Sequence, residues 1–266
     1  MPRLHDVIII GAGPGGAAAA TFLAGSGADV LLLDRADFPR DKTCGDGLTP
    51  RCVAMLEELG VLPEVQAFSH RINSARIFAP NGRCVETTLK RHGRIPDYML
   101  VSPRYKLDET LLRRALASGA SFRGGSKVTD IERRQGGVLV TAREGQAEAS
   151  YAGRLAIIAT GASQGVLKNS GFIDIAPQPI IAARAYYEGV KGVGDSFDFH
   201  FDGVELPGYG WLFPLGEGRA NIGLGYMPDG KAVAARNIKK MLAEFVSRPA
   251  FAPLLATCLL YTSPSP

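Results

Sequence analysis

The stretch from His5 to Arg35 reads HDVIIIGAGPGGAAAATFLAGSGADVLLLDR, and it decides the fold of the chain. One apolar run ends at Gly11, an alanine-rich segment follows, and a second apolar run ends at Asp34. Short apolar runs bounded by glycines are typical of buried strands, and the segment between them is typical of a helix. We therefore predict a βαβ unit, with parallel strands joined by a right-handed crossover.

The glycines of "GAGPGG" form a G-x-G-x-x-G pattern at Gly11, Gly13 and Gly16. Between a strand and a helix this pattern predicts a dinucleotide site: a tight turn, a close approach to a pyrophosphate, and close helix–strand packing. The helix N-terminus adds N–H groups and a partial positive charge. Asp34 follows Gly11 by 23 positions, near the spacing of an acid that bonds the ribose. The alternative is a glycine turn without a ligand, and the pattern alone does not separate NAD from FAD.

Composition excludes several classes of function. The 266 residues are 46% hydrophobic and 21% charged, as expected for a globular chain with a sizeable core. The basic residues are scattered, which argues against nucleic acid as a partner. The four cysteines have neither metal-site nor disulfide spacing. Without a signal peptide or a span of about 20 apolar residues, we expect a cytoplasmic protein. Its net charge of +4 leaves a peripheral membrane contact open.

The rest of the chain predicts a parallel α/β half followed by a mostly antiparallel half. Helices are predicted at 50–62, at 102–119 with Ser102 as N-cap, and at 231–247. A hairpin is predicted around Asn81-Gly82. Three strands follow between 127 and 161, and four antiparallel strands lie between 178 and 227. A nicotinamide dehydrogenase usually continues with alternating helices and strands, so this layout favours FAD over NAD.

Several segments together carry a family likeness: "GAGPGG", "LLLDR", "FPRDKTCGDGLTPR", "SPRYKLDETLLRRA", "AIIATGAS", "YGWLFPL" and "ANIGLG". Over about residues 5–250 the chain resembles the geranylgeranyl reductase family, within the hydroxylase-like, glutathione-reductase-type FAD enzymes. The resemblance implies an α/β fold with a Rossmann-like FAD-binding domain, containing a parallel sheet and a β-meander, at 1–70 and 101–165. It implies a mainly antiparallel α+β substrate domain at 71–100 and 166–250.

The resemblance also implies which residues contact FAD. In that family the loop after the second strand wraps the flavin, which would bring Cys44, Gly45, Asp46 and Gly47 near the isoalloxazine ring. Arg35 and Arg40 would meet phosphate or ribose oxygens. The remaining implied contacts are Arg104, Val128 and Gly161. Arg104 has the alternative of an ordinary exposed helix arginine, and Cys44 that of a small buried filler.

The implied reaction is the reduction of carbon–carbon double bonds in a prenylated lipid or other isoprenoid by hydride from reduced FAD. A proton donor must assist; the candidate catalytic residues are Cys44, Tyr209 and Trp211, and a bound water is an alternative donor. Tyr209 and Trp211 alternate with Phe213 and share one strand face. That face is either core or the wall of a polyprenyl pocket. The electron source is NAD(P)H or reduced ferredoxin.

Two alternatives remain. A flavin monooxygenase or halogenase shares the fold and the G-x-G-x-x-G pattern at Gly11, Gly13 and Gly16, which we call the glycine fingerprint. The second alternative is an inactive fragment, because the family continues into a "GDAAG"-like segment that this chain lacks. The composition of the ending "CLLYTSPSP" differs abruptly from that of the predicted helix before it, so residues 257–266 are interpreted as a non-native tail. A natural Ser/Pro tail is the alternative. We expect this chain to bind FAD weakly or to aggregate, and its parent to bind FAD tightly.

Overall fold

The structure is a computed structural model that describes residues 3–175, 177–178, 180–228 and 237–255, and the backbone of 259–261. The chain forms two compact units. Unit 1 comprises Met1–Arg40 and Tyr105–Pro177, and unit 2 comprises Asp41–Arg104 and Gln178–Pro266. The predicted FAD-binding and substrate domains are functional assignments and stay predictions.

In chain order the elements are β1 (Leu4–Ile10), α1 (Pro14–Gly25), β2 (Val30–Leu33), β3 (Gly47–Leu48), α2 (Pro50–Glu58), α3 (Leu62–Phe68), β4 (His70–Ile72), β5 (Ser74–Phe78), β6 (Cys84–Thr88), β7 (Met99–Val101), α4 (Arg104–Ala117), β8 (Ser121–Arg123), β9 (Ser126–Arg134), β10 (Gly137–Glu144), β11 (Ala147–Ile158), α5 (Gly165–Asn169), β12 (Ile181–Glu188), β13 (Ser196–His200), β14 (Gly208–Gly216), β15 (Arg219–Tyr226), α6 (Ile238–Val246), α7 (Ala252–Leu255) and β16 (Leu259–Tyr261).

Unit 1 is built on a six-stranded sheet in the order β8-β2-β1-β11-β10-β9. The strands β8, β2, β1 and β11 are parallel, whereas β9, β10 and β11 form an antiparallel meander. The predicted parallel pairing of the first two strands is confirmed, and so are the three strands of the meander.

The sheet of unit 1 is covered on both faces. Because side chains alternate along a strand, Ile9 and Leu32 pack with helices α1 and α4. Their neighbours Ile8 and Leu33 pack with the meander and with Val166 of α5. Burial on both faces explains why β1 and β2 are continuous apolar runs rather than alternating ones.

Unit 2 contains a seven-stranded sheet in the order β16-β12-β15-β14-β13-β5-β6. Its neighbours are antiparallel except β5 and β13, which are parallel. The predicted hairpin joins β5 to β6, and the four predicted strands are β12 to β15. A smaller antiparallel sheet has the order β3-β7-β4.

One face of the large sheet in unit 2 is aromatic. We define the aromatic face by five side chains from β13 and β14: Phe197, Phe199, Tyr209, Trp211 and Phe213. The opposite face packs against α6 and α7, where His200 lies beside Phe245 and Phe251. The prediction that Tyr209, Trp211 and Phe213 share a face is confirmed.

Some sequence-based expectations differ from the structure. The helix α4 begins at Arg104, and the buried Ser102 hydroxyl has no hydrogen-bond partner among the residues that the structure describes, so the prediction of Ser102 as its N-cap is wrong. The predicted helix at 231–247 is present as α6, and its first six residues lie outside the described part. Apart from the backbone of 259–261, the predicted tail 257–266 also lies outside it. Within the described residues, every helix is too short or too polar to cross a membrane.

Candidate functional site

The glycine fingerprint of unit 1 is held together by backbone contacts that leave no room for side chains. A Cβ on Gly16 would lie 1.8 Å from the carbonyl oxygen of Gly11. Gly11 has a φ of 103°, and a Cβ there would lie 2.5 Å from the Ala159 oxygen. Gly11 therefore requires glycine for both backbone conformation and space, and Gly16 requires it for space. The "ATG" turn that follows β11 thus lies against Gly11, and its Gly161 has a φ of 58°.

Gly13 differs from these two glycines because its side-chain position is open. The nearest atom to a Cβ at Gly13 would be Nη2 of Arg40, at 3.7 Å. Gly13 is the N-cap of α1 and has no side chain to satisfy the first-turn N–H groups. An anion at this point would meet helix N–H groups and the Arg40 guanidinium together.

Asp34 ties the end of β2 to the fingerprint. Its buried carboxylate accepts from the Ala12 N–H at 2.8 Å through Oδ2 and from the Ala36 N–H at 3.0 Å through Oδ1. Arg40 lies close by: its Nη2 is 3.6 Å from Asp34 Oδ2, and its Nη1 donates to Asp108 at 3.0 Å. The structure therefore brings Arg40 to the fingerprint, whereas Arg35 is exposed.

The remaining predicted contacts are spread along the chain. Val128 is a half-buried residue of β9, paired with Ala142 of β10. Arg104, which belongs to unit 2, is the first residue of α4. Asp108, which holds Arg40 and is fully buried, was not recognised from the sequence. A buried acid within an otherwise apolar helix face was the available signal.

In unit 2 the loop Cys44–Gly47 lies directly on the aromatic face. A Cβ on Gly45 would be 2.9 Å from the Phe213 ring and 3.3 Å from the Trp211 indole nitrogen. A Cβ on Gly47 would be 3.0 Å from Phe197. These glycines let the loop backbone reach the aromatic rings. Between them, the buried Asp46 has a φ of 64°, a conformation that aspartate tolerates better than most residues.

A buried hydrogen-bonded cluster fixes this loop to the sheet. The Tyr186 hydroxyl donates to Asp46 Oδ2 at 2.6 Å. The Asn221 side-chain amide donates at 2.9 Å both to Asp46 Oδ2 and to the Cys44 carbonyl. Trp211 donates its indole N–H to Asn221 Oδ1 at 2.9 Å. We call these residues the Asp46 cluster: Asp46, Tyr186, Asn221 and Trp211.

Burial has the largest effect on the pKa values of Asp46 and Tyr186 in this cluster. Burial raises the pKa of Asp46 from 3.8 to about 6, against the opposing effects of the hydrogen bonds from Tyr186 and Asn221 and of the Arg184 charge. Burial and the neighbouring Asp46 raise the pKa of Tyr186. Arg184 lies with its guanidinium 4.1 Å from the Tyr186 ring centre and donates to both oxygens of Asp41.

The three candidate catalytic residues have different environments. Trp211 is buried, and its only polar hydrogen is used by Asn221. Tyr209 is 40% exposed, and burial of the rest of the side chain raises its pKa. Cys44 is a half-buried free thiol. The sequence did not single out Tyr186, Asn221 or Arg184; the signal for Asn221 was a polar residue inside the apolar strand "ANIGLG".

The donor set of unit 1 fits a dinucleotide cofactor. Unit 1 offers an open helix N-terminus beside Gly13 with an arginine next to it, which suits a pyrophosphate. In unit 2, Oδ1 of the fully buried Asp46 has no hydrogen-bond partner in the described part of the chain. An unsatisfied buried carboxylate oxygen is costly and calls for an explanation, such as a ligand or a bound proton.

Comparison with known proteins identifies relatives along most of the chain. The FAD binding domain family matches residues 5–169. Menaquinone reductase of Mycobacterium tuberculosis is 34% identical over 247 residues, which are 90% of this chain and 59% of that protein. Digeranylgeranylglycerophospholipid reductase 2 of Methanopyrus kandleri is 32% identical over 225 residues, which are 83% of this chain and 54% of that protein. The chain thus spans somewhat more than half the length of these relatives.

Solved structures share the fold. A geranylgeranyl bacteriochlorophyll reductase-like protein from Thermoplasma acidophilum has a TM-score of 0.82 at 24% identity, covering 98% of this chain and 65% of that chain. The myxobacterial chondrochloren halogenase has a TM-score of 0.81 at 22% identity, and the match covers 99% of this chain and 62% of that chain. The predicted Rossmann-like FAD-binding fold is therefore confirmed. The chain belongs to the FAD binding domain family, and the predicted resemblance to the geranylgeranyl reductase family is confirmed.

Proposed function

We propose that this chain binds FAD and, within the whole protein, reduces carbon–carbon double bonds of a prenyl chain. The observation that carries the proposal is the contact between the Cys44–Gly47 loop and the aromatic face. The glycines of the loop lie against Phe197, Trp211 and Phe213, and the same face continues to the partly exposed Tyr209. The partly exposed end of this face, at Phe199 and Tyr209, lies next to the proposed cofactor loop and suits an apolar, unsaturated chain.

The residues of unit 1 would hold the adenosine and pyrophosphate part of the cofactor. Gly13 leaves the N-terminus of α1 open, and Arg40 provides a fixed positive charge there, oriented by Asp108. Asp34 would orient the ribose. As the family resemblance implies, Val128 would contact the adenine through its backbone, and Gly161 would lie in the "ATG" turn beside the cofactor. Arg104 is proposed as a further contact.

When bound and reduced, FAD would supply a hydride for one carbon of the double bond. The other carbon needs a proton, which the protein must hold in place. Tyr209 and Cys44 are the protein groups proposed to donate it. Trp211 has its N–H engaged by Asn221 and is better suited to form the pocket wall. Relatives whose names include menaquinone and digeranylgeranylglycerophospholipid support an isoprenoid substrate.

Further parts of the proposal follow from the family resemblance. Electrons would come from NAD(P)H or reduced ferredoxin, and the protein would act in the cytoplasm or at a membrane surface. Segments 1–70 and 101–165 are proposed as the FAD-binding domain. Segments 71–100 and 166–250 are proposed as the substrate domain.

A flavin-dependent halogenase or monooxygenase is the second candidate, supported by the fold similarity to the chondrochloren halogenase. The two candidates differ in their need for oxygen. A monooxygenase consumes oxygen in proportion to substrate, whereas an alkene reductase works without it.

The test uses the full chain loaded with FAD and reduced with dithionite under nitrogen. Addition of digeranylgeranylglycerophospholipid in detergent should restore the oxidised flavin spectrum and yield product that has gained two hydrogen atoms per reduced bond by mass spectrometry. The control is the fully saturated lipid, which should leave the flavin reduced. Failure of the unsaturated lipid to reoxidise bound flavin, with oxygen-dependent turnover instead, would favour the second candidate.

Variants separate the two proposed proton donors. If Tyr209 is the donor, Tyr209→Phe should slow flavin reoxidation about a hundredfold, whereas Cys44→Ala should not. The opposite ranking would assign the proton to Cys44. Tyr105→Phe, at an exposed tyrosine of α4, is the matched control.

A further inference from the structure

The Asp46 cluster contains a carboxyl group that the proposed reaction does not use directly. The Asp46 side chain is fully buried, and only its Oδ2 is hydrogen-bonded, by Tyr186 and Asn221. Its Oδ1 has no partner among the described residues. A carboxyl group that is fully buried does not contact a substrate directly. It acts instead through the residues to which it is hydrogen-bonded.

The neighbours hold the loop at several points. Asn221 donates to the Cys44 carbonyl, one residue before Gly45, and the Asp46 carbonyl accepts from the Ser102 N–H at 2.9 Å. The side chain of Asp46 connects the same loop to β12 through Tyr186. With Gly45 and Gly47 against the aromatic rings, the path of the loop backbone depends on these few contacts.

Resting on the proposed function, we propose that Asp46, Tyr186 and Asn221 are positioning residues that hold the Cys44–Gly47 loop for the flavin ring, and that Asp46 binds a proton at its unpartnered Oδ1. Protonation at Oδ1 leaves Oδ2 free to accept both existing hydrogen bonds. The neutral carboxyl therefore keeps the cluster intact without the cost of a buried charge.

The groups around the carboxyl set its charge. Tyr186 and Arg184 face it from β12, and Asp41 faces it from its own loop. Hydrogen bonds from Tyr186 and Asn221 and the charge of Arg184 favour the ionised form, whereas burial and the charge of Asp41 oppose it. Burial has the largest effect, so the carboxyl takes up its proton closer to neutral pH than an exposed aspartate does.

The chain contains its own reporter of this cluster. Trp211 is its single tryptophan, and its indole N–H is bonded to Asn221, which is bonded to Asp46. Tryptophan fluorescence of the chain without cofactor, titrated between pH 4.5 and 8, should show a transition with a midpoint of about 6. The transition should be absent in Asp46→Asn, which is isosteric and tolerates the same backbone conformation.

Tyr186→Phe distinguishes positioning from a general loss of structure. It removes a hydrogen bond that favours the ionised carboxyl, so the fluorescence midpoint should move to higher pH. The matched control is Tyr226→Phe on β15, because the buried Tyr226 hydroxyl has no hydrogen-bond partner within the described ranges of the chain. That variant should leave the midpoint unchanged. A transition that persists in Asp46→Asn, or that moves equally in Tyr226→Phe, would overturn the proton-binding role.

Binding of FAD tests the positioning role at pH 7. Tyr186→Phe and Asn221→Leu should weaken FAD binding roughly tenfold, while Tyr226→Phe should bind like the original chain. Equal affinities in all variants would overturn positioning. If the unaltered chain binds no FAD, the proposed function fails in this chain, and the fluorescence titration still decides whether Asp46 binds the proton.

Discussion

The indole nitrogen of Trp211 lies 2.9 Å from Oδ1 of Asn221, a residue of the neighbouring strand β15. An indole N–H can only donate, so a buried tryptophan needs an acceptor close by. Asn221 supplies it and uses its amide hydrogens for the Cys44 carbonyl and the Asp46 carboxylate. One amide group thus joins the aromatic face to the loop.

Asn221→Leu should destabilise unit 2 strongly. It removes three hydrogen bonds and leaves the Trp211 N–H and the Cys44 carbonyl without these partners. We expect a loss of roughly 2–4 kcal/mol in the free energy of unfolding, measured by urea denaturation with circular dichroism. Asn81→Ala, in the exposed β5–β6 hairpin, should cost less than about 1 kcal/mol. Equal costs would contradict a special role for Asn221.

Gly16→Ala should disrupt the fingerprint, because the new Cβ would lie 1.8 Å from the Gly11 oxygen. The backbone must move, so we expect a loss of roughly 2–4 kcal/mol in unfolding free energy. Gly25→Ala, at the other end of the same helix, meets no atom within 4 Å. That control should be neutral or stabilising by up to about 1 kcal/mol. Thermal denaturation of the two variants side by side tests the difference.

Arg40→Ala should weaken binding of the adenosine diphosphate part of the cofactor. The guanidinium lies beside the open position at Gly13 and is held by Asp108. Loss of a charge-assisted contact should lower the affinity for ADP at least tenfold, equivalent to about 1.4 kcal/mol. Titration calorimetry measures this. Arg3→Ala removes an exposed pair with Asp29 and should leave ADP affinity within about twofold. A similar loss in both variants would argue against Arg40.

Asp46→Asn should change how stability depends on pH. The pKa of Asp46 is about 6 in the folded chain against an ordinary 3.8, so the folded chain binds the proton more tightly than the unfolded chain does. The resulting stabilisation is complete below about pH 4 and disappears as pH rises through about 6. The asparagine variant lacks this titration.

The difference in unfolding free energy between the original chain and Asp46→Asn should therefore fall by roughly 1–3 kcal/mol between pH 4 and 7. Urea denaturation at several pH values measures it. Two parallel stability curves would show that Asp46 does not titrate in this range.

Local patterns predicted the elements whose periodicity is strong. The runs around Gly11 and Asp34 gave β1 and β2, and Asn81-Gly82 gave the hairpin. The strand β8 was missed because its three residues are too few to establish an alternating pattern. The parallel pairing of β5 with β13 was also missed, since it joins residues more than a hundred positions apart and leaves no local trace.

The candidate site also combines features that a local sequence pattern predicts with features that depend on residues distant in the sequence. The fingerprint glycines follow from a local pattern, because Gly11 and Gly16 contact each other within one turn. The partners of the Cys44–Gly47 loop do not follow from a local pattern, because Tyr186 and Asn221 are 140 and 175 positions away from Asp46 in the sequence. Ser102 illustrates a local rule that did not hold: α4 begins two residues later, and the buried Ser102 hydroxyl accepts no hydrogen bond from the described part of that helix.

The pairing of β1 with β11 has a consequence for biosynthesis. Leu4 is aligned with Ala152, which is made 148 residues later. At the usual rate of synthesis the first strand waits on the order of ten seconds for this neighbour, with β2 as its early partner. During that interval an apolar strand edge is open to other nascent chains. Translation speed before residue 147 should therefore govern how much of the chain reaches the native sheet instead of aggregating.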